Sequence, residues 1–300
     1  MLAGRSRMAP CPTARRSAPV LMRAGEPLAR QARRKTLVMG VLNITPDSFF
    51  DGGEITDAAA ALARAREQIA HGASVLDIGG ESSRPGADPV SQETELARVL
   101  PALEAVRELG VPVSVDTWRA ETARKALGAG AAMINDITAL QGDPAMAGVI
   151  ADAGAECVLM HMRGTPKTMQ REPRYDDVID DIRAFFEERM ARAMQEGVPE
   201  AAIWLDPGFG FGKTVTHNLQ LLRRLNEFHQ LGRPLLVGTS NKSTIGAVLN
   251  APAHDRTEGT AATVAYAIAQ GANAVRVHDV KTMARVAAMC DAIRGRSAHE

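Results

Sequence analysis

The chain has 300 residues, 45% of them hydrophobic, with 35 basic residues against 35 acidic ones. That apolar content supports a large core and excludes general disorder. Zero net charge excludes nucleic-acid binding through bulk charge but leaves room for a local anion site. No apolar run reaches the roughly 18 residues of a membrane span, so the sequence reads as a soluble protein with neither membrane nor nucleic acid among its partners. The three cysteines, Cys11, Cys157 and Cys290, match neither a zinc spacing nor a disulfide framework. Such usage fits a reducing compartment, the cytoplasm, with Cys157 and Cys290 as small core residues.

Residues 1–35 stand apart. They carry Arg5, Arg7, Arg15, Arg16, Arg23, Arg30, Arg33, Arg34 and Lys35 against one acid, Glu26, with four prolines and no lasting periodicity. An Arg-rich, acid-poor leader is compatible with a transit peptide, a disordered extension, or a start placed too early, with Met8 or Met22 as later starts. The disordered extension is the expectation, and 36–296 the folded unit.

From residue 37 onward, short aliphatic runs alternate with Ala-rich helical patterns. The runs are LVMGVLN (37–43), SVLDIGG (74–80), PVSVDT (112–117), MINDIT (133–138), CVLMHM (157–162), IWLDPGF (203–209), PLLVGTS (234–240) and AVRVHD (274–279). Between them, apolar residues recur at helical spacing: Ala58, Leu62, Ala65 and Ile69 in 57–71, with Asp57 as N-cap; Val178, Ile182, Phe185, Phe186 and Met190 in 175–196; Met283, Val286, Cys290 and Ile293 in 280–294. Continuous apolar strands separated by helices imply a parallel sheet covered on both faces. Eight such units imply a single-domain α/β fold, a (β/α)8 TIM barrel, a fold that commonly reaches about 250 residues. No dinucleotide-binding glycine fingerprint follows the first strand.

In such a barrel, chemistry gathers at the C-terminal ends of the strands. Here those ends carry Asn43, Glu81 with Ser83 and Arg84, Asp116, Asn135 with Asp136, His161, Asp206, Lys242, and Arg276 with His278. Asp116, Asn135, Asp206 and Lys242 mix acceptors and donors, as a flat heterocycle with an amidine-like edge requires. Arg84, Arg276 and His278 form a cationic group suited to phosphate or diphosphate, and strand alternation puts Arg276 and His278 on one face. Asn43 could add an oxygen to Mg²⁺, which leans on substrate phosphates. A metal-dependent hydrolase would need clustered His and carboxylate ligands, whereas the seven His are dispersed. A Schiff-base lyase using Lys242 would need a desolvated lysine, yet Lys242 lies in the polar run TSNKS.

Seven motifs then occur in order: NITPDSFFDGG (43–53), DIGGESSRPGA (77–87), SVDT (114–117), INDI (134–137), LMHMRGTPKTMQ (159–170), DPGFGFGK (206–213) and RVHD (276–279). Together they resemble the dihydropteroate synthase family along essentially all of 37–294. The resemblance implies a transferase of folate biosynthesis, a target of sulfonamides. It would join 6-hydroxymethyl-7,8-dihydropterin diphosphate to p-aminobenzoate, giving 7,8-dihydropteroate and diphosphate. By that resemblance, Asp116, Asn135, Asp206, Lys242 and Arg276 hold the pterin, with Asp116, Asp206 and Lys242 catalytic. Ser83, Arg84, Arg276 and His278 would hold diphosphate; Ser83, Phe211 and Ser243 would line the p-aminobenzoate pocket; Asn43 would ligand Mg²⁺. It also implies a homodimer through the late barrel helices.

Two departures stand out. Asn241 replaces the Arg usual before Lys242, which would weaken anion or p-aminobenzoate binding there or shift that role to Lys213 or Arg84. Phe50 replaces a small residue. With Pro46 fixing the chain's exit and Gly52 and Gly53 letting the loop bend, Phe49 and Phe50 could cover p-aminobenzoate as a lid. A non-catalytic pterin-binding paralogue, or a methyl-transferring barrel, remains open as a second class, although methyl transfer needs no diphosphate clamp.

Overall fold

The eight apolar runs form parallel strands β1 (Leu37–Asn43), β2 (Val75–Gly79), β3 (Val113–Asp116), β4 (Met133–Asp136), β5 (Glu156–Met160), β6 (Ile203–Asp206), β7 (Leu236–Val237) and β8 (Ala274–Val277). They belong to a computed structural model that describes residues 26–44, 57–84 and 86–296. Residues 1–25 and the loop with Pro46, Phe49, Phe50, Gly52 and Gly53 lie outside the described residues.

Neighbouring strands pair in the order β6-β5-β4-β3-β2-β1-β8-β7. A bridge between Leu205 and Leu235 closes the ring at the β6–β7 seam. Helices α2 (Asp57–Ala70), α3 (Gln92–Val106), α4 (Ala120–Gly128), α5 (Met146–Ala153), α6 (Val178–Gln195) and α7 (Val215–Arg223) follow the first six strands. After β7 come α8 (Ser243–Leu249) and α9 (Thr257–Ala269), and α10 (Val280–Ile293) follows β8. This is the expected (β/α)8 barrel.

Strand alternation divides the core in two. Outward residues such as Val38, Leu42, Leu76, Ile78, Val115 and Ile134 pack beneath the helices. Inward residues fill the lower half of the barrel: Leu37, Met39, Val75, Met133, Val158, Trp204, Leu236 and Ala274. Some helix stripes are shifted from expectation. In α2 the buried positions are Ala61, Ala65 and Gln68. Gln68 donates its amide to the Val41 carbonyl (2.9 Å) over Gly40, where a Cβ would lie 2.2 Å from Gln68 Oε1. In α10, Ile293 is exposed and Asp291 is buried; Asp291 accepts from the Thr36 amide (2.7 Å) and hydroxyl (2.8 Å).

The expected boundary after residue 35 falls too late. A short helix, α1 (Leu28–Gln31), plugs the bottom of the barrel with Leu28 and Ala32 packed on the lower inward layer. The Glu156 carboxylate accepts from the Leu28 amide, the Ala29 amide (3.0 Å) and Trp204 Nε1 (2.6 Å). One acid thus caps the helix N-terminus and ties it to strands β5 and β6. Residues 26–35 belong to the barrel because their apolar positions close its floor.

Candidate active site

The upper half of the barrel interior is polar. Asp116 ends β3, Asn135 lies near the end of β4, Asp206 ends β6 and Arg276 stands in β8. Lys242 immediately precedes α8. A cleft is lined by Ser83, Asp116, Asn135, Asp206, Phe211, Lys242, Arg276 and His278, together with Val41, Ile137, Met160, Phe209, Gly238 and Ser240. Eight of the eleven expected site residues therefore share one cleft. Asn43 is beside it: its register partner on β2 is Gly79, whose partner on β3 is Asp116. Arg84 and Ser243 are exposed, with Ser243 opening α8.

Arg276 crosses the cleft. Its Nε donates to Asp77 Oδ2 (2.6 Å) and its second guanidinium nitrogen to Asp116 Oδ2 (2.8 Å). Burial works against its charge, but Asp77 and Asp116 outweigh that and raise its pKa. Burial pushes the Asp116 carboxyl up to about 7, with Arg276 pulling against it, and also raises Asp206. Lys242 is pushed down to about 8 by burial and by Arg276, and its Nζ sits 3.9 Å from the Phe211 ring centre. Charges held in this state favour a ligand that completes their hydrogen bonds.

The expected trio of cations is corrected to a smaller set. Burial, Arg276 and Lys242 push His278 down to about 4, so its ring is neutral at ordinary pH. Its backbone N–H donates to Ser240 Oγ (3.3 Å), and the Ser240 hydroxyl lies 3.0 Å from Nδ1. When the Ser240 hydroxyl donates to Nδ1, the ring proton is on Nε2 and is free to be donated. Lys213 is not available to an anion in place of the missing Arg either, since it is buried among protein acceptors. Asn241 takes φ +57°, a conformation that Asn tolerates better than most residues. Its carbonyl accepts from Arg256 (3.0 Å).

Three other polar strand-end residues serve the scaffold. Glu81 pairs with Arg119 (2.7 Å), which also holds Glu95 (3.1 Å). Asp136 accepts from the Thr138 and Leu140 amides at 2.7 and 2.9 Å. His161 faces Lys213. Conversely, Asp77 had no expected role, yet it is fully buried beneath the cleft and accepts from Asn135 Nδ2 (3.2 Å) as well as from Arg276. It orients both. The available signal was a carboxylate in the middle of an otherwise apolar run, VLDIG. A larger cavity of about 550 Å³ opens at the opposite end of the barrel, lined by Leu28, Val111, Pro112 and Pro199 among others. Its polar lining is Glu26, Gln31, Arg107 and Glu156, of which Glu156 is engaged by the α1 amides and Trp204.

The model of the pterin-binding enzyme family matches residues 39–278. A dihydropteroate synthase from Synechocystis is 48% identical over 262 residues, covering 87% of this chain and 91% of the relative. Among solved structures, the Yersinia pestis dihydropteroate synthase with a sulfonamide drug superposes with a TM-score of 0.83 at 45% identity, covering 87% of this chain and 95% of that one. The Xanthomonas albilineans dihydropteroate synthase with 4-aminobenzoic acid gives a TM-score of 0.82 at 41% identity, covering 87% and 93%. With sequence, fold and cleft in agreement over the whole barrel, the chain belongs to the pterin-binding enzyme family, among its dihydropteroate synthases.

Proposed function

We propose that this chain condenses 6-hydroxymethyl-7,8-dihydropterin diphosphate with p-aminobenzoate, releasing diphosphate and forming 7,8-dihydropteroate. The observation that carries this reading is the convergence of Asp116, Asp206, Asn135 and Lys242 on one cleft crossed by Arg276. Asp116 and Asp206 would accept the N–H groups of the pterin edge, Asn135 would donate and accept, and Lys242 would donate to the ring carbonyl. Arg276 would leave Asp116 as the ring enters and cover its face.

The dihydropterin ring spreads positive charge from its exocyclic methylene, so the carbon–oxygen bond to diphosphate can break ahead of attack. Asp116 and Asp206 oppose that charge within a water-poor cleft. Arg84, Ser83, Arg276 and the His278 ring would hold the departing diphosphate. The p-aminobenzoate nitrogen then forms the new C–N bond and releases a proton. Phe211 and Ser83 line the side where p-aminobenzoate, or a sulfonamide competing with it, would sit, with Ser243 at the start of α8 toward its carboxylate. Burial does desolvate Lys242, contrary to the expectation from the polar run TSNKS. It remains an ammonium below about pH 8, and the relatives are dihydropteroate synthases, which favours a donor role over a Schiff-base lyase.

The Asn43 side-chain oxygen, beside Gly79 and the Asp116 backbone position, is a hard donor that fits Mg²⁺. Among the described residues no cluster of three His, Cys, Asp or Glu could cage an ion. Asn43 and the diphosphate oxygens would therefore hold Mg²⁺ between them, and the bound ion would supply charge neutralisation for the leaving group. A homodimer is supported by exposed Val248, Leu249, Tyr266, Met289 and Ile293 on α8, α9 and α10. No helix among the described residues is long and apolar enough to cross a membrane, and Cys157 and Cys290 are free, which supports a cytoplasmic enzyme. The test is direct: with both substrates and Mg²⁺, one dihydropteroate should form per diphosphate released. Pterin binding without product would overturn the reading in favour of a binding-only paralogue.

A further inference from the structure

The loop after β6, residues 206–213, is wound around a buried ammonium. Lys213 is 3% exposed, and its Nζ reaches the carbonyls of Gly208 and Phe211 (both 3.0 Å), the carbonyl of His161 (3.3 Å) and His161 Nδ1 (2.9 Å). Burial pushes the Lys213 amine down to about 7, with Asp206 pulling it back up. Four acceptors around Nζ favour the protonated form, whose three N–H donors leave none for a ligand. The winding demands it: Gly208 takes φ +68°, and a Cβ there would lie 1.9 Å from the His161 carbonyl oxygen. Without a cation at the centre, these carbonyls would converge on nothing.

The same loop delivers the aromatic wall of the cleft. Phe211 supplies both a carbonyl to Lys213 and the ring beneath Lys242 Nζ. Outer ties finish the frame. Gln170 donates to the Gly210 carbonyl (2.8 Å) and the Tyr175 hydroxyl to that of Gly212 (2.7 Å). Asn218 accepts from the Gly210 amide (2.8 Å) and donates to Thr244 Oγ1 (2.9 Å) in α8. The inner face of the loop is held by the Asp206 carboxylate, which accepts from the Gly208 amide (2.8 Å), and by Lys213, which gathers the Gly208 and Phe211 carbonyls.

We propose that Lys213 is a positioning residue whose ammonium serves as a built-in cation, winding the 206–213 loop so that Phe211 is set against both Lys242 and the p-aminobenzoate side of the cleft. This rests on the function proposed above. Asp116, Asn135 and Arg276 stand on β3, β4 and β8, away from this loop, and Asp206, which opens the loop, is anchored as the last residue of β6 beside Met160. The lesion therefore falls on p-aminobenzoate more than on the pterin.

The test compares Lys213→Met with the unaltered chain. Met keeps the length of the stem and removes the charge and all three donors. The KM for p-aminobenzoate is expected to rise about tenfold or more, while the affinity for 6-hydroxymethylpterin, titrated in the absence of p-aminobenzoate, stays within about threefold. Lys213→Gln, which keeps two N–H donors, is expected to fall between, and it carries the test if the Met variant does not fold. A folded variant with unchanged KM for p-aminobenzoate overturns the proposal, as does a parallel loss toward both ligands. If the unaltered chain makes no dihydropteroate under the same conditions, the functional reading fails instead, and the two failures are thereby told apart.

Discussion

The two halves of the barrel interior are built from the same strands and obey opposite rules. Below, β5 and β6 present Val158 and Trp204 to an apolar layer, where Glu156 has its carboxylate met by three N–H donors. Above, Asn135, Asp206 and Arg276 follow Met133, Trp204 and Ala274 by two residues on the same faces. Among the described residues, unpartnered buried polar atoms occur in both halves, Asp77 Oδ1 and Ser114 Oγ above and Gln31 Oε1 of α1 below. What sets the upper half apart is charge, since Asp116, Asp206 and Lys242 are held away from their ordinary pKa values. The lower half stabilises the fold, and the upper half carries electrostatic tension that a pterin can relieve.

That contrast can be broken most forcefully from below. Trp204→Ala removes the largest fully buried side chain in the lower layer together with one of the donors to Glu156. A loss of about 3–5 kcal/mol of unfolding free energy is expected, measured by denaturant titration. The kcat of the molecules that remain folded should hold. A large loss of kcat with stability intact would mean that the floor is not merely a support.

The upper half can be sharpened with pH. Asp116 must be ionised to accept from the pterin, and burial holds it at about 7. Lys242 must be protonated to donate, and burial with Arg276 holds it at about 8. The rate constant kcat/KM for the pterin diphosphate should therefore rise through about pH 7 and fall above about 8, changing roughly tenfold per unit on the outer limbs. The folded-state pKa of Asp116 is raised, so the native state binds the extra proton between the ordinary value of 3.8 and about 7. Stability on its account falls as pH rises across that window. A flat rate profile from pH 6 to 9 would remove Asp116 and Lys242 from the proposed roles.

Much of this was legible in the chain itself, for identifiable reasons. The strands were readable because parallel strands covered on both faces are continuous apolar runs, so 37–43 matches β1 and 203–209 begins where β6 begins. The strand-end residues Asp116, Asn135, Asp206 and Arg276 were readable because alternation points each of them inward. Helix α1 was not, because its stability comes from Glu156, more than a hundred positions away, and its four residues show no period of their own. The role of Lys213 was hidden because its acceptors are mostly backbone carbonyls, which every residue has and no motif announces. The neutrality of His278 depends on Arg276 and Lys242 standing beside a buried ring, a consequence of three elements meeting in space.

The central claim is that the upper half is tuned for a pterin and not for stability. It is tested most directly by measuring unfolding free energy and dihydropteroate formation on one preparation of Asp206→Asn. Asparagine keeps the shape and can still accept from the Gly208 amide, as Asp206 Oδ1 does at 2.8 Å, while shedding a buried charge whose pKa burial has raised. We predict a kcat/KM for the pterin diphosphate lower by about 100-fold, the loss of a charge-assisted hydrogen bond, with unfolding free energy unchanged or increased. Activity within about threefold of the unaltered chain, or a loss of stability of about 2 kcal/mol or more, would contradict the account.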